Sequence, residues 1–261
     1  MHDKVWAVGP LLPTKDDLVG PVQRGRAHSC QEAMTWLDKR MNGSVVYVCF
    51  GSRVIPTRKQ MNELAIALEC SGVQFIFCIC DGQVGGDYGV VPNGFEDRVA
   101  GRGLVIKQWV PQVAILRHQA VGAFLTHYGW NSVLEGLSAG VVMLTWPING
   151  DQFTNANLLV DHLGVSIRVG VSGGSDNVPN SAELGRLLAK SVDENETLPE
   201  TDRAMKLRDA ALSAVTGNSK RDLDEYSKRD LDEFVKRLHN KLNDFNSLEH
   251  SHAREVDRST N

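Results

Sequence analysis

The amino-acid sequence predicts an α/β fold: a Rossmann-like parallel sheet with helices on both of its faces. Short β-branched apolar runs alternate at least five times with segments of helical periodicity, and short connections join them. Such alternation is typical of an open parallel sheet. The chain has 261 residues, of which 42% are hydrophobic. That is enough to bury a substantial core in one large domain or two small ones.

The predicted elements begin with a continuous apolar run over residues 45–50, which is typical of a buried parallel strand. Apolar residues at helical spacing follow over 56–71, and Gly72 stands where that helix ends. The same patterns predict the elements that come after it. The further strands are 73–80, 104–106, 121–126, 141–144 and 165–169. The further helices are 113–117, 131–139, 151–163, 181–193, 200–216 and 219–242.

Three parts of the chain differ in character. Residues 1–40 contain glycine and proline breaks, and we expect them to form a linker and lead-in. We expect residues 41–245 to form the folded, ligand-binding domain with its C-terminal helices, and the polar residues 246–261 to form a disordered tail. Residues 81–94 hold five glycines and predict a long loop, which in a compact domain is usually functional or mobile.

Charge and composition argue against several function classes. The formal net charge is −4, without the basic excess of nucleic-acid-binding proteins. The sequence contains no run of about 18 apolar residues, so we expect no membrane-spanning helix. The N-terminal residues lack a signal-peptide pattern. The cysteines are odd in number and lack the partners of a zinc site, so we expect buried free thiols in a reducing compartment. They are Cys30, Cys49, Cys70, Cys78 and Cys80.

Polar and aromatic residues follow four strands at their carboxyl ends, where parallel α/β sheets bind ligands. Residues 51–52 follow the first strand, 109–112 follow the strand at 104–106, and 126–132 and 146–152 follow the next two. Because these ends lie at one edge of the sheet, we expect the four groups to line one site.

Each group has a chemistry suited to a nucleotide or a sugar. Residues 129–132 open a helix, whose free N–H groups and dipole favour a phosphate, and His127 can add a hydrogen bond. Trp109 offers a flat apolar face to a nucleobase. Glu135, one turn into the helix, can accept hydrogen bonds from ribose hydroxyls. The carboxylate and amide at 151–152 suit the hydroxyls of a sugar.

Each of these residues alone has a simpler structural explanation. Asn131 and Ser132 can cap their helix, and Asp151 can cap the next one. A lone tryptophan is more often part of the core, and a lone histidine is more often structural. Together, on successive turns at one sheet edge, the residues favour a nucleotide- and sugar-binding domain. The P-loop, dinucleotide-binding and serine-hydrolase motifs are absent from the sequence.

Residues 109–152 form one long motif, WVPQVAILRHQAVGAFLTHYGWNSVLEGLSAGVVMLTWPINGDQ. It closely resembles the signature of plant secondary-product glycosyltransferases. Residues 5–13 (VWAVGPLLP) resemble that family's interdomain linker, and 43–52 (GSVVYVCFGS) resemble the first strand of its donor domain. The chain is thus similar to the C-terminal, donor-binding half of a plant UDP-sugar-dependent glycosyltransferase, and resembles flavonoid and phenolic glucosyltransferases in particular.

The resemblance implies the C-terminal half of a GT-B fold, in which two Rossmann-like domains face a cleft. It also implies inverting transfer of a sugar from UDP-sugar to a hydroxyl of a phenolic or flavonoid acceptor, without a metal or other cofactor. Gln152 suggests glucose as the sugar. The implied donor-binding residues are Trp109, Val110, Gln112 and Glu135 for uridine, Ser52, His127, Asn131 and Ser132 for the diphosphate, and Trp130, Asp151 and Gln152 for the sugar.

Two residues depart from the family pattern. Tyr128 stands where the family usually has cysteine, and Val142 where it usually has proline. We expect Tyr128 to add bulk before the phosphate-binding turn and to perturb the donor pocket, and Val142 to be benign. His118 does not lie in a motif that matches the family's catalytic histidine, and we expect it to be structural.

The family's proteins are much longer than this chain, and their N-terminal domain carries the catalytic histidine, its aspartate partner and most of the acceptor pocket. No residue of this chain is therefore assigned a catalytic role, and we expect the chain alone to be inactive. Two alternatives stay open: a non-catalytic UDP-sugar-binding module and a non-functional truncated product. The expected partners are UDP or UDP-glucose, the N-terminal acceptor domain and a small phenolic acceptor, with no nucleic acid and no membrane.

Overall fold

Six strands form the central sheet of the computed structural model, which describes residues 24–79, 90–170, 177–196 and 198–216, with side chains from residue 30 to residue 211. The strands are β1 (Val45–Cys49), β2 (Gln74–Cys78), β3 (Gly103–Ile106), β4 (Val121–Thr126), β5 (Val142–Thr145) and β6 (Ser166–Arg168). The helices are α1 (Arg24–Leu37), α2 (Arg58–Ser71), α3 (Phe95–Arg98), α4 (Gln112–Leu116), α5 (Trp130–Ala139), α6 (Gln152–Asn157), α7 (Ser181–Ser191) and α8 (Pro199–Thr216).

The strand order is β3-β2-β1-β4-β5-β6, and every neighbouring pair is parallel. The chain winds outward from β1 to β3 and then crosses back to β4, on the other side of β1. The order therefore reverses between β1 and β4, which is the position where open α/β sheets bind ligands at their carboxyl ends. The predicted Rossmann-like parallel sheet is confirmed.

Both faces of the sheet are buried, which explains why its strands are continuous apolar runs. Side chains of β1 alternate between two cores: Tyr47 belongs to one, and Val46 and Val48 belong to the other. On the Tyr47 side, residues from α1, α4, α5 and α8 contribute to the core. On the opposite side, α2 and α7 pack through leucines such as Leu64 and Leu184. Each such buried side chain stabilises the fold by about 1.5–3 kcal/mol.

Glycines end the helices where the sequence predicts. α2 begins with a capping box between Thr57 and Gln60, and it ends at Gly72, whose φ is 71°. α5 ends at Gly140 with a φ of 73°. The predicted helix 151–163 is observed as α6 followed by a π-helical turn, Leu158–His162.

The structure contains two helices that the sequence patterns did not predict. α1 lies inside the segment expected to be a lead-in, and it contributes Ala33 and Leu37 to the core. Its apolar residues are too few to give a clear stripe. α3 is a single turn of four residues, shorter than periodicity can detect.

The structure leaves the predicted boundaries at residues 40 and 245 as predictions. The described residues up to Ala210 form one compact unit, and the described residues from Ala211 onward belong to a second. Most of the predicted loop 81–94, the predicted helix 219–242 and the predicted tail 246–261 lie outside the described residues. Within the described ranges, no helix combines the length and the apolar character that crossing a bilayer requires.

The four described cysteines are free thiols, but they differ in burial. Cys49 and Cys78 are buried, Cys30 is partly buried, and Cys70 is exposed on α2. The expectation of a buried thiol is therefore wrong for Cys70, because its position on the helix faces solvent. Cys80 lies outside the described residues.

Candidate functional site

A cleft of about 870 Å³ opens at the carboxyl edge of the sheet, where β1 and β4 meet. Its walls come from the turns that follow β1, β3, β4 and β5. All eleven residues that the sequence nominated for donor binding line this one cleft. They are Ser52, Trp109, Val110, Gln112, His127, Trp130, Asn131, Ser132, Glu135, Asp151 and Gln152.

The N-terminus of α5 forms the anion-attracting end of the cleft. The helix begins after Gly129, and no side chain caps it. The first main-chain N–H groups of a helix have no intrahelical acceptor, so those of residues 130–132 are available to a ligand. The simpler explanation, that Asn131 or Ser132 caps this helix, is wrong for this structure.

His127 lies beside this helix end in a tight space between two glycines. A Cβ atom at Gly51 would lie 2.7 Å from the His127 ring, and one at Gly129 would lie 2.6 Å from its Nε2. Burial lowers the pKa of His127 to about 4, although nearby Asp151 raises it. The imidazole is therefore neutral at pH 7 and offers a hydrogen-bonding group rather than a charge to the cleft.

Gln112, Ser132 and Glu135 form a hydrogen-bonded cluster on the side of the cleft next to α4. Gln112 Nε2 donates to Glu135 Oε2 at 2.6 Å and to Ser132 Oγ at 3.2 Å. The cluster ties α4 to α5 and holds the Glu135 carboxylate in one position. Trp109 precedes α4 and is 52% exposed, so part of its indole surface is accessible, whereas Val110 is buried.

Asp151 ends the turn between β5 and α6, and Gln152 is the first residue of α6. The Gln152 side chain is buried, and its Oε1 accepts hydrogen bonds from the backbone N–H groups of Ile148 (2.8 Å) and Asn149 (2.9 Å). Its Nε2 also donates to Asn149 Oδ1 at 2.9 Å. One Nε2 hydrogen is thus left for a ligand. Gln152 shapes the turn as well as lining the cleft.

Asp151 does not cap α6, because its side chain accepts no hydrogen bond from the first turn of that helix backbone. The simpler explanation for Asp151 is therefore wrong. Its Oδ2 instead accepts a hydrogen bond of 3.2 Å from Asn155 Nδ2, one turn further along the helix. Asn155 Nδ2 also donates to the main-chain oxygen of Tyr128 at 3.0 Å. Asn155 thus links Asp151 to the turn that precedes α5.

Tyr128 does not line the cleft, so its bulk is not directed into the expected donor pocket; an effect of Tyr128 on donor binding stays a prediction. Its side chain is fully buried in the core, and its hydroxyl donates a hydrogen bond to Ser166 Oγ in β6. Burial raises the pKa of the Tyr128 hydroxyl. The backbone φ of 71° at Tyr128 turns the side chain away from the ligand face. Val142 is fully buried at the start of β5.

Two residues with a role in the cleft were missed at the sequence level. Tyr47 lines the cleft floor and donates from its hydroxyl to Gln112 Oε1 at 3.3 Å. Asn155 lies four residues after Asp151, and this spacing on one helix could have indicated their contact.

His118, which was expected to be structural, accepts a hydrogen bond from the Ala120 N–H at 3.1 Å. The described part of the chain holds no group of three or more His, Cys, Asp and Glu side chains suited to a metal ion.

Residues 4–181 match the family described as "UDP-glucoronosyl and UDP-glucosyl transferase". The chain belongs to this family. It is 51% identical over 229 residues to flavonol 3-O-glucosyltransferase UGT89B1 of Arabidopsis thaliana, a match that covers 86% of this chain and 47% of the relative. It is 49% identical over 217 residues to UDP-glycosyltransferase 89B2 of Stevia rebaudiana, covering 82% of this chain and 45% of the relative. The chain spans about half the length of the curated relatives it matches.

Solved structures of the family share this fold. Arabidopsis thaliana UGT89C1 complexed with UDP-L-rhamnose superposes with a TM-score of 0.71 at 43% identity, covering 88% of this chain and 52% of that one. Phytolacca americana UGT2 complexed with UDP-2fluoro-glucose and pterostilbene gives a TM-score of 0.68 at 34% identity, covering 86% and 46%. These matches confirm the expected glycosyltransferase relationship and the Rossmann-like half of the GT-B fold.

Proposed function

We propose that this chain is the donor-binding half of an inverting UDP-glycosyltransferase, which transfers a sugar from UDP-sugar to a hydroxyl of a phenolic or flavonoid acceptor. The observation that carries the proposal is the convergence of eleven nominated side chains on one cleft at the reversal point of the sheet. Family membership supports the reaction type, since relatives are named as flavonol and other UDP-dependent glycosyltransferases.

The uridine part of the donor takes the side of the cleft next to α4. Uracil stacks on the exposed indole of Trp109 and bonds the backbone of Val110. The ribose hydroxyls donate to the Glu135 carboxylate, which Gln112 already holds in place.

The diphosphate takes the N-terminus of α5, with the Ser52 and His127 side chains beside it. The helix N–H groups and the neutral His127 ring donate hydrogen bonds to phosphate oxygens. The same groups stabilise UDP as it leaves, because negative charge grows on the β-phosphate when its bond to the anomeric carbon breaks. We therefore propose that no metal takes part, and that chelation with EDTA leaves UDP affinity unchanged.

The sugar takes the end of the cleft formed by Trp130, Asp151 and Gln152. A carboxylate and an amide together accept from and donate to adjacent sugar hydroxyls. Glucose is our proposed donor sugar on the basis of Gln152. A related protein is named flavonol 7-O-rhamnosyltransferase, so a comparison of UDP-glucose with UDP-rhamnose decides this point.

The acceptor hydroxyl attacks the anomeric carbon from the face opposite UDP, and a general base removes its proton. We propose that this base and the acceptor pocket lie outside these 261 residues, in an N-terminal half supplied by the rest of the enzyme. The chain alone then binds donor without transferring sugar. A cytoplasmic location is part of the proposal and rests on the family resemblance and the free thiols.

Calorimetric titration of the full chain with UDP tests the proposal. We expect micromolar-range binding that is lost when Trp109→Ala and Glu135→Ala are combined. Glu32→Ala is a matched control, because Glu32 is exposed on α1, away from the cleft. No binding at millimolar UDP by a folded chain contradicts the proposal and favours a non-functional truncated product.

Transfer activity separates an enzyme half from a binding module. We expect no transfer to a flavonol by the chain alone, and measurable transfer after an N-terminal half of a close relative is added. Tight UDP binding without any recovery favours a non-catalytic binding module instead.

A further inference from the structure

The Tyr47 hydroxyl reaches the floor of the cleft from a rigid position in the sheet. The ring is fully buried in β1 and stacks on Phe124 of β4, with ring centroids 5.2 Å apart. Packing therefore fixes the ring, and the hydroxyl donates to Gln112 Oε1 at 3.3 Å. Gln112 Oε1 thus receives a hydrogen bond from an anchored donor.

The other end of the Gln112 amide is also committed. Its Nε2 donates to Glu135 Oε2 at 2.6 Å and to Ser132 Oγ at 3.2 Å. A primary amide nitrogen has two hydrogens, so both are used. Rotation of the amide by half a turn would bring Oε1 against the Glu135 carboxylate, which can only accept hydrogen bonds. Glu135 therefore selects the orientation of the Gln112 amide, and the Tyr47 hydroxyl anchors Oε1 in that orientation by donating to it.

We infer that Tyr47 and Gln112 are positioning residues for ribose recognition: the Tyr47 hydroxyl fixes the Gln112 amide, and this amide holds the Glu135 carboxylate where the ribose hydroxyls donate to it. The inference rests on the proposed function and deepens it. It assigns to Gln112 an action through Glu135 rather than through a direct contact with the nucleoside.

If Tyr47 positions the ribose-binding carboxylate, its loss lowers the preference for UDP over 2′-deoxy-UDP. A purely structural role of Tyr47 would leave this preference unchanged. A carboxylate held in advance gains most from a ligand that has both ribose hydroxyls. Removing the Tyr47 hydroxyl frees the amide, so the preference for UDP over 2′-deoxy-UDP falls. General loosening of the cleft would weaken both nucleotides by the same factor.

The test is calorimetry of the full chain with UDP and 2′-deoxy-UDP. For the wild type we expect UDP to bind about tenfold more tightly, the size of one hydrogen bond to a charged group. Tyr47→Phe lowers this preference about threefold and leaves 2′-deoxy-UDP affinity unchanged. In a Glu135→Ala background the same substitution has no further effect on UDP. Tyr128→Phe is the matched control, since it removes a buried hydroxyl outside the cleft.

An equal loss for both nucleotides in Tyr47→Phe, or an unchanged preference, overturns the inference. Absence of any UDP binding by the wild type contradicts the proposed function instead, and the network is then tested without ligand. In NMR spectra of the free chain, the side-chain amide signals of Gln112 are assigned by their loss in Gln112→Ala. We expect these signals to shift in both Tyr47→Phe and Glu135→Ala. Signals that stay in place in both variants overturn the inference by themselves.

Discussion

Asn155 donates a hydrogen bond from its Nδ2 to the main-chain oxygen of Tyr128 at 3.0 Å. Tyr128 has a φ of 71°, a conformation that costs a bulky residue about 1–3 kcal/mol. The turn therefore depends on surrounding contacts to keep its shape. Because Gly129 and α5 follow at once, the same contacts set the direction in which the helix presents its N–H groups.

Asn155→Ala leaves the Tyr128 carbonyl without its side-chain donor, and we expect the free energy of unfolding to fall by about 2 kcal/mol. We also expect UDP to bind several-fold more weakly, because the α5 N-terminus loses its fixed direction. Thermal unfolding and UDP titration measure the two effects. Asn157→Ala, an exposed change in the same helix, is the control, and an equal loss of affinity there contradicts the explanation.

Tyr128→Phe removes the hydrogen bond to Ser166 without touching the cleft. We expect a loss of about 1 kcal/mol in the free energy of unfolding and unchanged UDP affinity. Chemical denaturation and calorimetry measure these quantities. Ser166→Ala should cost a similar amount, since it removes the other partner. A large loss of UDP affinity in Tyr128→Phe would mean that the side chain influences the donor site after all.

Gly51→Ala places a Cβ at a φ of 71° and 2.7 Å from the His127 ring. We expect both a lower melting temperature and weaker UDP binding, because the ring must move away from the diphosphate site. Gly72→Ala is the matched control: its φ is also 71°, but nothing lies within 4 Å of the added atom. It should lose stability, by about 1 kcal/mol, without any loss of UDP affinity.

His127 predicts a particular dependence of stability on pH. Its pKa is about 4 in the folded chain, below the ordinary value of 6.5, because burial disfavours the charged ring. The folded state thus binds fewer protons than the unfolded state between these values. The contribution of His127 to the free energy of unfolding is fully present above pH 6.5. It is lost as the pH falls toward 4, by about 3 kcal/mol in total.

Urea denaturation across pH 4–7 measures this dependence. We expect a shallower decline of the unfolding free energy in His127→Asn than in the wild type. His162→Asn, an exposed histidine change, should follow the wild-type slope. Equal slopes in all three proteins would contradict the role given to burial of His127.

The sheet was largely predictable because its strands are buried on both faces and read as apolar runs; the predicted strand 121–126 and β4 coincide. The gathering of the nominated residues was predictable for a topological reason, since parallel strands end at the same edge. α1 was not, because only Ala33 and Leu37 of its described side chains are fully buried. Propensity and periodicity carry little signal for such a helix.

The directions of the side chains at the turns could not be predicted from the sequence. The direction of Tyr128 depends on a left-handed backbone conformation that is uncommon for tyrosine. The hydrogen bonds of Gln112 and Gln152 depend on which groups the folded turns bring within reach. Sequence position places such residues at the cleft but does not tell a ligand-binding side chain from one that holds its neighbours.

A crystal structure of the chain with UDP tests the central claim most directly. The account predicts uracil against Trp109, ribose hydroxyls within hydrogen-bond distance of Glu135, and the diphosphate at the N–H groups of residues 130–132. UDP bound elsewhere on the chain, or a diphosphate that does not contact the α5 N-terminus, would contradict it.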